Sequence, residues 1–212
     1  MPKNLSEKLL RELRDLSLVR DEEINTSEIP ETTNWDNAIQ GLWTSKTYDS
    51  LSYDIRGVAN EILKRAWKIG AHTSNMWLNK VTWFVYEKAL VDYGKLISQA
   101  RVEAWDHGPV FREIYGPAKI YHDEPVTHLL TSFSMTAKSM IEARMPDDPE
   151  VISIIDEAIK KFGDKSASQL RAISHIEASP WFKVWYSPQR TSAGMVISPN
   201  LIISAYKATE HK

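Results

Sequence analysis

TSNMWLNKVTWFVYEKALVDYG, residues 73–94, decides the fold class. Thr73, Ser74 and Asn75 each carry a side chain able to accept from the free N–H groups that open a helix. Trp77, Leu78, Val81, Phe84, Val85 and Leu90 follow at helical spacing and run to Gly94. Together they cover more than one stripe of the helix, which suits the middle of a bundle, buried on several sides. Such a helix needs partners, and the flanking sequence supplies them. Upstream, Val58, Ala59, Ile62, Leu63, Ala66 and Ile69 mark one helix closed by Gly70. Downstream, Asp148 and Pro149 open a helix carrying Val151, Ile154, Ile155, Ala158, Ile159 and Phe162, stopped at Gly163. Ser166 and Gln169 form a capping box for a helix reaching His175, while Ser179–Pro180 and Ser198–Pro199 each place a hydroxyl cap before a first-turn proline. Between these helices, SQARVEAWDHGPV at 98–110 alternates through Val102 and Ala104, which predicts one short strand. Pro109 then fits the first position of a helix bearing Val110, Phe111, Ile114 and Tyr115. The weak period of residues 126–145 is compatible with a ribbon. The expectation is a mainly α fold: a compact multi-helix domain over residues 51–212 with a small antiparallel β ribbon.

Composition narrows the classes of function. The 212 residues are enough for one domain with an appendage. Lys and Arg number 26 against 28 Asp and Glu, so no basic excess exists to hold a phosphate backbone, which argues against nucleic acid as the partner. Cysteine is absent, which removes disulfides, thiolate metal sites and cysteine nucleophiles, and fits a reducing compartment. No run of 18 apolar residues occurs, and MPKNLSEKLLRELRD lacks the apolar segment of a signal peptide. A cytoplasmic protein without a membrane partner is expected.

The first 50 residues read differently from the rest. Leu5, Leu9, Leu10, Leu13 and Leu16 recur at helical spacing, with Asn4 and Glu7 placed as cap and partner. Residues 21–45 then carry Asp21, Glu22, Glu23, Glu28, Glu31 and Asp36 without one Lys or Arg. That window predicts an extended acidic arm. Inside it, Trp35, Ile39, Leu42 and Trp43 share one face of a helical turn or two. An amphipathic helix this short is marginal alone, and tryptophan is favoured where area is buried on association. Trp35, Ile39, Leu42 and Trp43, with Glu28, Glu31 and Asp36, are therefore the candidate partner-binding residues of an arm spanning residues 1–50.

Three stretches carry a family resemblance: LNKVTWFVYEKAL at 78–90, VEAWDHGPVFREIY at 102–115 and SHIEASPWFKVW at 174–185. In this order they resemble the Panacea domain, the SocA-like or phage GepA-like domain, over roughly residues 55–206. The resemblance implies an antitoxin, encoded beside a small toxin and neutralising it by direct binding. It also implies assembly with that toxin and, in one branch, its delivery to an ATP-dependent protease. The family-motif residues here are Trp105, His107, Gly108, Pro109, Tyr115, Ser179, Pro180 and Trp181. Asn79–Lys80 departs from the family's commoner Lys–Leu–Gln–Lys pattern, and the first 50 residues have no counterpart in the minimal domain.

The same residues admit a chemical reading. His107 beside Asp106 has the makings of a general base, which would make the chain a hydrolase-type enzyme. Yet no nucleophile of known motif type surrounds it, and adjacent side chains usually diverge. Turn chemistry accounts for the cluster instead, with Trp105 filling the core, His107 bonded to backbone and Gly108–Pro109 shaping a corner. His175 and Ser179 mimic a base and nucleophile, but Ser179 is placed as a helix cap. His72, His122, His128 and His211 form no metal-binding pair, and no glycine-rich phosphate loop occurs, so no cofactor is expected. Arg56, Lys64, Arg65 and Lys68 read as a solvated face, with a DNA-binding autorepressor as the reading they would otherwise support. A non-enzymatic antitoxin is the function expected.

Overall fold

The computed structural model describes residues 48–188 and 194–207. The arm residues Glu28, Glu31, Trp35, Asp36, Ile39, Leu42 and Trp43, and the leucine-bearing helix before them, lie outside the described residues. Seven α-helices are described: α1 (Ile55–Lys68), α2 (Asn75–Asp92), α3 (Arg112–Ala118), α4 (Pro149–Phe162), α5 (Ala167–Ser174), α6 (Pro180–Trp185) and α7 (Pro199–Lys207). A mainly helical domain with small sheets is what the sequence predicts.

Helix α2 is the axis. Ser74 accepts from the Trp77 N–H at its start, while Thr73 donates to the Val126 carbonyl and ties down the loop that passes it. From Trp77 to Tyr86 every residue of α2 is buried. Helices α1, α3, α4, α5 and α7 all pack against it, which is why its apolar residues do not keep to one stripe. Trp77, Trp83 and Trp181 are the largest side chains in the core, and Trp77 donates its indole N–H to the Lys165 carbonyl at 3.1 Å.

The other helices start where their caps predict. Asp148 accepts from the N–H groups of Glu150 and Val151 ahead of Pro149. Ser166 and Gln169 form the reciprocal capping box. Ser179 accepts from Phe182 ahead of Pro180, and Ser198 from Leu201. Of the four cationic residues on α1, Arg56 pairs with Asp54 and Arg65 with both Glu61 and Asp156; Lys64 and Lys68 are exposed.

Three small sheets complete the domain. β1 (Asp49–Ser50) lies parallel to β2 (Lys95–Leu96). β3 (Val102–Trp105) pairs antiparallel with β4 (Gly108–Phe111), and β7 (Met195–Val196) flanks β3 on the other side. β5 (Thr131–Ser134) and β6 (Ser139–Glu142) form a separate ribbon.

The hairpin corrects one sequence expectation. Pro109 does not open a helix; it sits in β4 opposite Ala104, and α3 begins at Arg112. In a hairpin closed by the pair Trp105 and Gly108, the next pair exchanges no ladder bonds, so the missing proline N–H leaves no gap. β4 is also the sheet's edge, the usual place for proline in a strand. Trp105 is likewise not a core residue. It is half-buried on the hairpin face, where its polar indole N–H finds a carboxylate.

The base of the β5–β6 ribbon is fixed by one side chain. Asn60 of α1 is fully buried; its amide donates to the Leu130 and Ala143 carbonyls and accepts from the Leu130 N–H at 2.7 Å. Three residues earlier, a Cβ at Gly57 would fall 1.8 Å from the Arg144 carbonyl oxygen, so glycine is what lets the returning chain lie against α1. We expect Asn60→Leu, which keeps the branching but sets two larger methyls against these buried backbone groups and orphans them, to cost about 2–4 kcal/mol. Chemical denaturation would show this as a lower midpoint, and an unchanged midpoint would mean that the ribbon is held by other contacts.

Candidate functional site

The three motif stretches, far apart in sequence, meet around the β3–β4 hairpin. In the closing-pair geometry, the Pro109 carbonyl and the Phe111 N–H point away from β3, towards open space. Helix α2 supplies what a further strand would have. Lys80 donates its Nζ to the Pro109 carbonyl at 2.8 Å, and the neighbouring Asn79 accepts from the Phe111 N–H at 3.0 Å. Asn79 also donates to the Asn75 carbonyl and side chain, and Asn75 to the Tyr115 carbonyl. A ladder of side-chain amides thus carries the hairpin's edge onto α2.

Lys80 is 1% exposed. Burial pushes its amine down from 10.5 to about 7, with Arg171 adding repulsion. Gly108 makes room for it. At φ +101 this residue has backbone geometry that side chains rarely adopt, and a Cβ there would stand 2.9 Å from Lys80 Nζ and 2.7 Å from Ser174 Oγ.

The third stretch closes over the hairpin turn. Trp181 donates its indole N–H to the Trp105 carbonyl at 2.8 Å. The His175 ring packs on Trp181 with centroids 3.7 Å apart. One ring nitrogen of His175 is 2.7 Å from the Arg171 carbonyl and the other 3.2 Å from the Asp106 carbonyl. Ser179 caps α6 and donates to the Ser174 carbonyl. On the outer face, Glu103 accepts from Trp105 Nε1 at 2.9 Å and from Arg112 Nε at 2.8 Å. Burial works against its ionisation, yet these donors hold its carboxyl below the ordinary carboxylate range. The Arg112 guanidinium lies over the Trp105 ring, and Tyr115 meets that ring edge-on.

Trp105, Gly108, Pro109, Tyr115, Ser179, Pro180 and Trp181 are therefore brought together, with His107 at the tip. His107 is exposed on the open turn, its Nδ1 3.2 Å from the Asp106 carboxylate. The expectation that His107 bonds backbone while Asp106 diverges is corrected here, because the tight turn swings both side chains to the same side. Among the described residues no group of three His, Asp or Glu is placed to hold a metal ion.

A cleft of about 500 Å³ lies behind this cluster. Trp83, Phe84 and Glu87 of α2, Phe162 of α4, Trp181 of α6 and Tyr206 of α7 are among its walls. The Glu87 carboxyl is pushed up from 4.5 to about 7, by burial first and by Asp92, although a hydrogen bond from Tyr206 works the other way. Sequence reasoning missed Glu87 and Tyr206, and no spacing rule joins residues so far apart. Lys80 did leave a signal, as a lone cation in an apolar run.

The buried amine gives the stability a pH signature. Unfolded, Lys80 binds its proton up to pH 10.5; folded, only up to about pH 7. Between these values the unfolded chain holds more protons, so stability should rise with pH, by up to about 1.4 kcal/mol per unit. Glu87 acts in the opposite sense, but between 4.5 and about 7. Denaturant unfolding from pH 7 to 9.5 should show the rise in the unsubstituted chain and lose most of it in Lys80→Met. An equal rise in both would mean that Lys80 is solvated in the folded state.

The arrangement has counterparts among known proteins. Residues 78–182, the span from the first motif to the third, match the family described as Antitoxin SocA-like, Panacea domain. Antitoxin SocA of Caulobacter vibrioides (strain NA1000 / CB15N) is 31% identical over 141 residues, covering 64% of this chain and 72% of that protein. No solved structure matches. The likeness spans the axis helix, the hairpin it completes and the α6 cap that closes over the turn, and on that shared framework the chain belongs to the SocA-like Panacea antitoxin family.

Proposed function

We propose that the protein neutralises a co-encoded protein toxin by direct, non-enzymatic binding. One observation carries the reading. The family span, residues 78–182, holds motif side chains that are committed to backbone partners. Lys80, Asn79, Asn75, Trp181, Ser179 and His175 all bond to backbone. Groups so engaged build a rigid scaffold and are poorly placed to turn over a substrate. His107, the centre of the hydrolase reading, stands on an exposed turn and is not among the residues lining the cleft. Catalysis by proton transfer generally works in a water-excluded site. The autorepressor reading loses support from α1, where half of its four cations are paired with carboxylates.

Neutralisation by contact needs an interface that buries on the order of 1,200–2,000 Å². The arm of residues 1–50 is proposed as one part of it. Its acidic window complements a toxin with a basic active surface, and Trp35 and Trp43, with Ile39 and Leu42, supply apolar anchors. Assembly with the toxin, transfer to an ATP-dependent protease and a cytoplasmic setting belong to the same proposal. No helix among the described residues is long and apolar enough to cross a membrane.

The test uses the adjacent reading frame. Its product should arrest growth when expressed alone and be rescued by this chain. A truncation for this purpose should start at Lys46, because Asp49–Ser50 pairs with Lys95–Leu96. We expect that truncation to stay folded by circular dichroism and to bind the toxin at least tenfold more weakly, with Trp35→Ala plus Trp43→Ala reproducing much of the loss. Binding as tight as that of the full chain would place the interface on the helical domain alone.

A further inference from the structure

The cleft behind the hairpin has a composition that the scaffold does not need. Its aromatic walls come from Trp83, Phe84, Phe162 and Trp181, and its rim includes Ile176, which is 62% exposed. Phe84 and Phe162 stack at 4.5 Å. Into this apolar space α2 sends a carboxylate, Glu87. Burying an acid beside aromatic rings is costly unless something cationic shares the site.

The surrounding charges leave that position open to a visitor. Three carboxylates line the cleft: Glu87 and Asp92 from α2 and Glu157 from α4. Two lysines face them. Lys88 is already held by Asp92 at 2.7 Å and Glu157 at 3.3 Å. Lys161 of α4 lies over the Phe162 ring and attracts Glu87 without restoring its ordinary acidity. From α7, Tyr206 donates a hydrogen bond to Glu87. The α5–α6 side presents Ser174 and Ser179, which are neutral. With Glu87 ionised the wall carries a net charge of −1, from three carboxylates and two ammonium groups.

We propose that this cleft receives an arginine side chain of the neutralised toxin, its guanidinium paired with Glu87 and its plane set against the aromatic wall. The inference rests on the direct-binding reading above. Arginine suits the site better than lysine because its flat, weakly hydrated head stacks on aromatic rings and offers a fork of donors to one carboxylate. A volume of about 500 Å³ admits the whole side chain with the residues flanking it. The occupant matches the acidic arm's preference for a basic partner, so both surfaces select one kind of toxin.

Proton linkage gives the site a signature. The free carboxyl takes up its proton near pH 7, whereas a bound guanidinium requires the ionised form. Affinity should therefore fall about tenfold from pH 8 to pH 6, and Glu87→Gln should abolish that dependence while weakening binding at least tenfold at pH 8.

Two measurements on the full chain decide the matter. Nα-acetyl-L-arginine methylamide should shift the indole NMR signals of Trp83 and Trp181, and the neutral citrulline analogue should not. The product of the adjacent reading frame should lose affinity for Glu87→Gln as stated. If that product binds the variant and the unsubstituted chain equally at pH 8, or the arginine probe shifts nothing, the cleft inference is overturned and direct neutralisation stands. If the folded, unsubstituted chain fails to bind the product at all, the neutralisation reading falls and this inference falls with it. Should Glu87→Gln not fold, the probe titration of the unsubstituted chain decides alone.

Discussion

The rest of the domain depends on how the outer edge of β4 is finished. An edge strand presents alternate N–H and C=O groups that must be satisfied, and among the described residues no further strand pairs with it. Two consecutive residues of α2 take its place, Asn79 accepting and Lys80 donating. Buried inside a mainly apolar axis, both side chains are expensive unless those bonds are made. The consequence runs both ways. The hairpin has one seat on α2, and α2 has one rotation about its axis that places both groups at the strand.

That constraint propagates outward. Seating Pro109 and Phe111 on α2 brings the backbone of Trp105 and Asp106 within reach of Trp181 and His175, which bond their carbonyls while the side chains of the turn stay exposed. On the opposite hairpin face, the buried Glu103 and the half-buried Trp105 form a compact ionic and aromatic cluster with Arg112 and Tyr115. A half-buried tryptophan with a satisfied indole N–H and an arginine across its face is a stable surface feature that needs no core around it.

The helices were legible because their signals are local. Ser74, Asp148, Ser166 with Gln169, and Ser179 each announce a helix start within four residues, and each caps the helix it announces. The all-round apolar pattern of residues 77–90 correctly marked the axis. The hairpin was not legible. Pro109 after glycine looks locally like a first helical turn, and what makes it a strand residue is a lysine on another helix. Trp105 was misplaced for a similar reason, since its partner Arg112 comes from the next element. At the candidate site, the motif residues were recognisable singly but their convergence was not, and the Glu87–Tyr206 pair left no trace in spacing. The arm residues lie outside the described span, so their reading still rests on charge and periodicity.

A scaffold that consumes its own polar groups separates stability from recognition. Lys80, Asn79, Ser174 and Trp181 are fixed by backbone partners, so substitution there is paid for in folding. Glu87 is bonded by another side chain, Tyr206, and its carboxyl sits where desolvation raises its proton affinity. Changing Glu87 or the rim at Ile176 alters charge and apolar area without removing a bond of the hairpin seat. Substitutions at those positions and at the hairpin seat should add, because well-separated sites couple little. The framework keeps its shape so long as Lys80 and Asn79 hold the edge of β4 on α2.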